Sequence, residues 1–210
     1  MRRGRFLTLE GAEGAGKSTT LAHAATVLRE AGLQVDVTRE PGGTGRAEAI
    51  REILLERGDE SMTDLAELLL MFAGRSLHLE NRIRPALAAG RWVLCDRFTD
   101  ATWAYQGGGR GLPETWIGQL ESWTQDGLQP DLTLLLDLDP EVGLARIKGR
   151  GVPDRFETER LAFFHRVRET YLRRAHADPA RFRVIDASAT QESVRSEVSR
   201  HIKEFIQSID

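Results

Sequence analysis

The run Gly11-Ala12-Glu13-Gly14-Ala15-Gly16-Lys17-Ser18-Thr19 carries the pattern G-x-x-x-x-G-K-[ST] over residues 11–18. It stands between an apolar, strand-like stretch at 6–9 and a helical pattern at 18–30, the context such a loop needs. Glycines here turn backbone N–H groups inward around phosphate oxygens, and the N-terminus of the helix adds its positive end. Lys17 can reach the β- and γ-phosphates, and the Ser18 hydroxyl can ligate Mg²⁺. Residues 11–19 are therefore the candidate ATP-binding segment.

A phosphate loop names a nucleotide but not a reaction. The guanine-reading sequence Asn-Lys-x-Asp is absent, because the one asparagine, Asn81, is followed by Arg82. The acidic pair with which remodelling ATPases activate water is absent too: Asp96 precedes Arg97, and Asp137 precedes Leu138. A kinase that excludes water suits this inventory better. Three further segments supply the parts of a second pocket for a phosphate and a base. They are Thr38-Arg39-Glu40-Pro41-Gly42-Gly43-Thr44, Phe72-Ala73-Gly74-Arg75, and the run from Asp96-Arg97 through Thr102, Tyr105 and Gln106 to Gly111. Taken singly, Arg39 or Arg75 reads as a surface ion pair, Phe72 as core and Gly107–Gly109 as a loop. At about 146–157, Arg146, Lys148, Arg150 and Arg155 punctuate a stretch containing Gly and Pro. Beside a phosphate loop it reads as a mobile lid whose cations close over the donor, where such groups contribute about 10³–10⁵ in rate.

These groups need a scaffold, and the hydropathy pattern supplies one. Strands are expected at 6–9, 33–38, 92–95, 132–136 and 182–185. Helices are expected at 18–30, 46–57, 63–89 with a bend before Pro85, 113–124, 140–149, 157–177 and at the C-terminus. Alternating strands and helices predict one domain over 1–210, a three-layer α/β/α fold around a five-stranded, mainly parallel sheet. Ligands on such sheets sit beyond the carboxyl ends of the strands, where the motifs fall. A content of 40% hydrophobic and 29% charged residues is that of a globular chain. A single cysteine excludes a disulfide framework and a Cys-rich zinc site. The net charge of −3 gives no basic excess for general nucleic-acid binding. No apolar run reaches membrane-spanning length and no signal peptide is evident, so a soluble cytoplasmic protein without a membrane partner is expected. Of 29 basic residues only Lys17, Lys148 and Lys203 are lysine. Compositional bias explains most of the arginines, while Arg39, Arg75, Arg97 and Arg150 fall where planar anion or base-edge recognition is useful.

Taken in order, the phosphate loop with Glu13 inside it, TREPGGT at 38–44, the helix around Arg75, DRFTDATWAYQGGGRG at 96–111, and PDLTLLLDLDPEVGLAR at 130–146 leading into DRFE at 154–157 resemble the bacterial thymidylate kinases over nearly the whole chain. The resemblance implies a P-loop nucleotide kinase with a short lid, a homodimer that phosphorylates dTMP to dTDP with MgATP. It implies Arg97 on the dTMP phosphate, with Arg39 and Arg51 near it, and Glu40 and Pro41 in the dTMP-binding segment. Arg75 would bond the thymine edge, Thr102 and Gln106 would complete the base contacts, and Tyr105 would sit against the sugar. Asp96 is implied near Mg²⁺ or the transferred phosphoryl, with Ser18 as the other metal ligand. Glu13 would lie between the phosphates, near the 3′-hydroxyl or Mg²⁺. Lys17, Glu13, Arg97, Arg150 and Arg155 form the implied catalytic set. Arg150 is its main lid cation, and Arg155 serves catalysis or lid structure. Met71 stands where the family usually has an aromatic residue, which makes Phe72 the candidate stacking partner for thymine. The alternatives are another nucleotide or nucleoside kinase of the same fold, or a non-enzymatic ATP-binding switch.

Overall fold

The computed structural model describes residues 3–56, 60–148, 155–157 and 159–209. Among these, strands β1 (Phe6–Gly11), β2 (Val35–Arg39), β3 (Trp92–Asp96), β4 (Leu132–Asp137) and β5 (Phe182–Asp186) form one sheet in the order β2-β3-β1-β4-β5. Every neighbouring pair is parallel. Helices α1 (Lys17–Glu30), α2 (Gly45–Leu55), α3 (Asp64–His78), α4 (Arg84–Ala88), α5 (Thr99–Thr102), α6 (Glu114–Gln125), α7 (Pro140–Ile147), α8 (Leu161–Ala177) and α9 (Gln191–Ile209) connect and cover it. The three-layer parallel α/β architecture expected from the sequence is present.

Helices on both faces explain why β1 and β4 are buried almost throughout and read as continuous apolar runs. Leu9, Leu94 and Leu134 pack with Leu28 of α1 and with Val198 and Ile202 of α9. A second cluster joins Phe6, Val93, Cys95 and Phe98 to Leu79, Ile83 and Leu87. A third places Leu135 against Phe164, Val167 and Tyr171 of α8. The chain winds to β2 and β3 on one side of β1, then to β4 and β5 on the other. The connections therefore part at β1, which opens a crevice beyond its carboxyl end. Register brings Leu9 and Arg39 opposite Asp96, and Gly11 opposite Leu136, so three motifs meet at that edge.

Two stretches depart from the expected elements. The bend before Pro85 is a π-helical turn, Leu79–Ile83, that links α3 to α4 without a break in the rod. Proline lacks an N–H, and its ring cannot approach the carbonyl four residues earlier, so a wider turn accommodates it. The second departure corrects the reading of Gly107–Gly109 as a loop: α5 continues as a π-helical segment, Trp103–Gly109. Tertiary packing imposes it. A Cβ on Gly108 would collide with the Thr170 hydroxyl and the Arg166 carbonyl, so only glycine lets α8 lie this close. Arg166 then donates from Nε to the Gly108 carbonyl (3.1 Å) and from Nη2 to the Gly109 carbonyl (2.6 Å).

Candidate active site

A cavity of about 390 Å³ opens at the crevice. Glu13, Gly14, Gly16, Lys17, Ser18 and Thr19 line one part of it. Gly11, Ala12 and Ala15 lie buried behind the loop and shape it without lining the cavity. The loop is drawn tightly against α7: a Cβ on Gly14 would strike the Gly143 carbonyl, and Gly14 has φ of +74°. Lys17 Nζ donates to the Gly11 and Ala12 carbonyls, each at 3.0 Å. Burial pushes the Lys17 ammonium below its ordinary pKa and Arg97 adds to this, while Glu13, Asp96 and Glu10 pull it back.

Arg97 stands at the centre. It follows β3 in the left-handed region (φ +64°), a conformation disfavoured for a side-chain-bearing residue. Neighbouring groups hold it there: Arg97 N donates to the Leu9 carbonyl at 2.9 Å, and Phe98 N donates to Glu10 Oε1 at 2.7 Å. The guanidinium thereby reaches Glu13 Oε1 at 2.5 Å and lies 4.7 Å from the Tyr105 ring centre. Tyr105 also donates to Glu13 Oε1, at 2.9 Å. Burial alone would raise the Glu13 pKa; the Arg97 and Lys17 charges and these two hydrogen bonds outweigh it and hold the carboxyl at about 2. Glu13 is thus an anion fixed between the phosphate loop and Arg97. Asp96 lines the cavity beside them, its Oδ1 buried with no hydrogen-bond partner among the described residues.

A chamber further in is walled by Met71, Arg75, Phe98, Thr102, Tyr105 and Gln106. Arg75 is 3% exposed. Its Nε donates to Glu40 Oε2 at 2.8 Å, and its Nη2 to the Phe98 carbonyl (3.1 Å) and Thr102 Oγ1 (2.9 Å). The Phe72 and Phe98 ring centres both lie 4.9 Å from its guanidinium carbon. Glu40, itself buried, also accepts from His78 Nδ1 at 3.0 Å. Burial would raise its pKa, but the Arg75 charge and the His78 hydrogen bond bring it below the ordinary value. Arg75 Nη1 and Gln106 Oε1 remain buried with no hydrogen-bond partner among the described residues. Buried polar groups are normally satisfied, so one spare donor and one spare acceptor beside a cavity mark a ligand-reading surface.

Pro41 and Arg51 also line the cavity, and Arg51 Nη1 donates to the Pro41 carbonyl at 2.9 Å. Three expected site residues are placed elsewhere. Arg39 points outward, 49% exposed, and pairs with Glu48 Oε2 at 2.7 Å. Phe72 lies in a core cluster with Leu68 and Ile117, while Met71 occupies the cavity wall. Arg155 is not among the residues that line the cavity: its Nη2 lies 2.6 Å from Glu67 Oε2 and its Nε donates to the Leu54 carbonyl at 3.1 Å, an arrangement that suits the lid-structuring role expected as its alternative to catalysis. Arg150 lies outside the described residues. Sequence reasoning passed over Glu10, Glu67 and His78. Glu10 carried a signal: it is the one acid within an apolar strand, immediately before the phosphate loop.

The profile of the thymidylate kinase family matches residues 9–198. A thymidylate kinase from Chromohalobacter salexigens is 58% identical over 210 residues, covering 99% of each chain. One from Alcanivorax borkumensis is 55% identical over 202 residues, covering 96% of this chain and 97% of its own. The crystal structure of thymidylate kinase from Ehrlichia chaffeensis superposes with a TM-score of 0.75 at 30% identity, covering 97% of this chain and 99% of that one. Match, identity and coverage agree with the crevice and its phosphate loop: the chain belongs to the thymidylate kinase family and is a phosphotransferase.

Proposed function

We propose that the chain transfers the γ-phosphoryl group of ATP to the phosphate of dTMP, giving dTDP and ADP. The observation that carries this is a single cavity joining the phosphate loop to a chamber with one spare donor and one spare acceptor, Arg75 Nη1 and Gln106 Oε1. ATP phosphates sit on the N–H groups of the loop and on Lys17, and the thymine base occupies the chamber with Met71 and Phe98 as apolar walls. Arg97 meets the dTMP phosphate between them, with Arg51 beside it, and Glu13 fixes the direction of the Arg97 fork. Phosphoryl transfer needs chiefly positioning and charge neutralisation, which this array provides. Tyr105, whose pKa burial pushes well up, stays a neutral donor and forms the wall against the sugar.

Mg²⁺ fits the residues present: Ser18 and the unpartnered Asp96 oxygen supply hard donors, and this ion usually takes few protein ligands beside phosphate and water. When bound, it would neutralise charge on the phosphate oxygens. Arg150 serves as the lid cation. The same reading has one domain carrying the activity and a cytoplasmic location. A homodimer is proposed through the face bearing Leu65 (44% exposed) and Leu69 (49%) on α3, with sedimentation equilibrium as its test. A coupled assay for ADP with dTMP, dUMP, CMP, AMP and GMP tests the reaction. The expected result is preference for dTMP; preference for another monophosphate, or ADP formation independent of any acceptor, overturns it.

A further inference from the structure

Glu67 lies on α3, two turns before Arg75, and is wholly buried. Its Oε1 accepts from Gln106 Nε2 at 2.7 Å and from Arg110 Nε at 3.4 Å. Its Oε2 accepts from Arg110 Nη2 at 3.2 Å and lies 2.6 Å from Arg155 Nη2. Arg110 is itself tied to Glu159. A carboxylate between two guanidinium groups has no proton to offer, so the Gln106 amide can meet it only with its NH₂. The opposite rotamer would set the Gln106 carbonyl against an anion. The amide is therefore locked one way round, and its Oε1 becomes the unpartnered acceptor at the cavity wall.

Arg75 is locked by the same logic. Its Nε and Nη2 are committed to Glu40, the Phe98 carbonyl and Thr102, which leaves Nη1 as the spare donor. An acceptor and a donor lining one cavity suit the edge of a 4-oxo pyrimidine, whose ring N3–H donates and whose O4 accepts. A 4-amino pyrimidine presents the reverse, an accepting N3 and a donating amine, and would face like against like at both positions.

We propose that Glu67 is a positioning residue for base specificity: by fixing the Gln106 amide, it makes the pocket read 4-oxo and reject 4-amino pyrimidine nucleotides. This rests on the function proposed above, and deepens it by assigning discrimination to a residue that never touches the base. The test measures kcat/KM for dTMP and dCMP in the full chain, with thermal melts alongside, for the parent, Glu67→Asp, Gln106→Met and the double variant. Aspartate keeps a charge facing Arg110 and Arg155 but withdraws it from the amide by one methylene. The expected result is a dTMP-to-dCMP ratio lowered by about tenfold or more in Glu67→Asp, through a higher KM for dTMP and a lower one for dCMP. Gln106→Met should lower the ratio as far, and the double variant should add nothing. Equal losses on both substrates in Glu67→Asp would make Glu67 a purely structural anion and overturn the proposal. If Glu67→Asp does not fold, an unchanged ratio in Gln106→Met overturns it instead. A parent that phosphorylates no dTMP overturns the function, which is a different failure.

Discussion

Replacing Arg75 by lysine keeps the positive charge and separates what the charge does from what the guanidinium shape does. The arginine fork bonds three groups at once, Glu40, the Phe98 carbonyl and Thr102, from between two aromatic rings. A lysine ammonium can keep the pairing with Glu40 but cannot span the rest. The buried Thr102 hydroxyl then loses its donor, while the Phe98 carbonyl gives up one of two and keeps the Ala101 N–H at 3.2 Å. One group left unsatisfied costs about 1–3 kcal/mol, and with the ion pair retained the loss falls near the middle, about 2 kcal/mol. For a chain of this size about 2–4 °C of melting temperature accompanies each kcal/mol, so Arg75→Lys should melt about 4–8 °C below the parent. The same substitution removes the spare Nη1 donor. A charge-assisted hydrogen bond is worth about 1.5–3 kcal/mol, so dTMP should bind about 10- to 150-fold more weakly. Differential scanning calorimetry without ligand reads the first effect, and titration calorimetry with dTMP, well below the melting temperature, reads the second. A melt within about 2 °C of the parent would show that charge alone organises the chamber. An unchanged dTMP Kd would remove Arg75 from base recognition.

Exchanging Met71 for alanine should weaken dTMP severalfold with little loss of stability, whereas Phe72→Leu should cost about 1 kcal/mol of stability and leave dTMP affinity intact; the reverse pattern in dTMP titrations and melts would return Phe72 to the base. Burial, reinforced by Asp100, raises the Glu10 pKa from 4.5 to about 7 against the Tyr171 and Phe98 hydrogen bonds and the Arg97 charge. The native state therefore holds a proton that the unfolded state has released, and this group's contribution is fully present below about 4.5 and lost as pH rises through about 7. Denaturant titrations should find Glu10→Gln gaining on the parent across that window, and a difference that stays flat with pH would refute the raised value. Glu13, held at about 2, has the opposite sign: its stabilisation is present above 4.5 and lost only as pH falls through about 2. Arg150→Ala should lower kcat more than it raises the dTMP KM; steady-state kinetics in which only KM moves would make Arg150 a binding group.

The phosphate loop and the strand ends were legible because their constraints are local. Glycines at fixed spacing, a lysine and an apolar run before them serve little else. The placement of Phe72 was not, although its signal was present. On a helix, a shift of one residue turns a side chain by about 100°. Met71 stands four residues before Arg75 and so shares its cavity face, while Phe72 stands four after Leu68 and shares the core face. The π-helical 103–109 segment was illegible for another reason: three consecutive glycines disfavour a helix by propensity, and only the packing of α8 over Gly108 reverses this. Buried acids are the hardest case. Glu67 and Asp100 are surrounded in sequence by residues that would read the same on a solvated face. Their partners are distant: Gln106 and Arg110 for Glu67, Arg174 and Arg181 for Asp100.

The excess of arginine changes meaning under this geometry. Compositional bias predicts arginines spread over solvated faces, and some are, such as Arg173 paired with Glu114 where both side chains are more than half exposed. Exposed pairs of that kind contribute little. Others span several partners in a way lysine could not. Arg168 grips both oxygens of Asp137 at 2.7 and 2.9 Å, and Arg181 ties Asp100, Asp178 and Thr133 together. Arg82 joins Asp36 to the carbonyls of Val37 and Gly43, bracing the loop that carries Glu40. Each fork ties two or more backbone segments of the fold together, and a planar group with five donors suits that work better than a point charge on a flexible stem. Of the residues first set apart, Arg75 and Arg97 keep a place at the cavity, whereas Arg39 joins the surface pairs. Among the described residues, the cations that line the cavity, Lys17, Arg51, Arg75 and Arg97, are matched in number by Glu13, Glu40, Asp96 and Glu157, and Arg75 is already paired with Glu40. Phosphate recognition in this crevice therefore rests on directed donors, the guanidinium of Arg97, the Lys17 ammonium and the loop N–H groups, rather than on an excess of positive charge, in keeping with a chain whose net charge is −3.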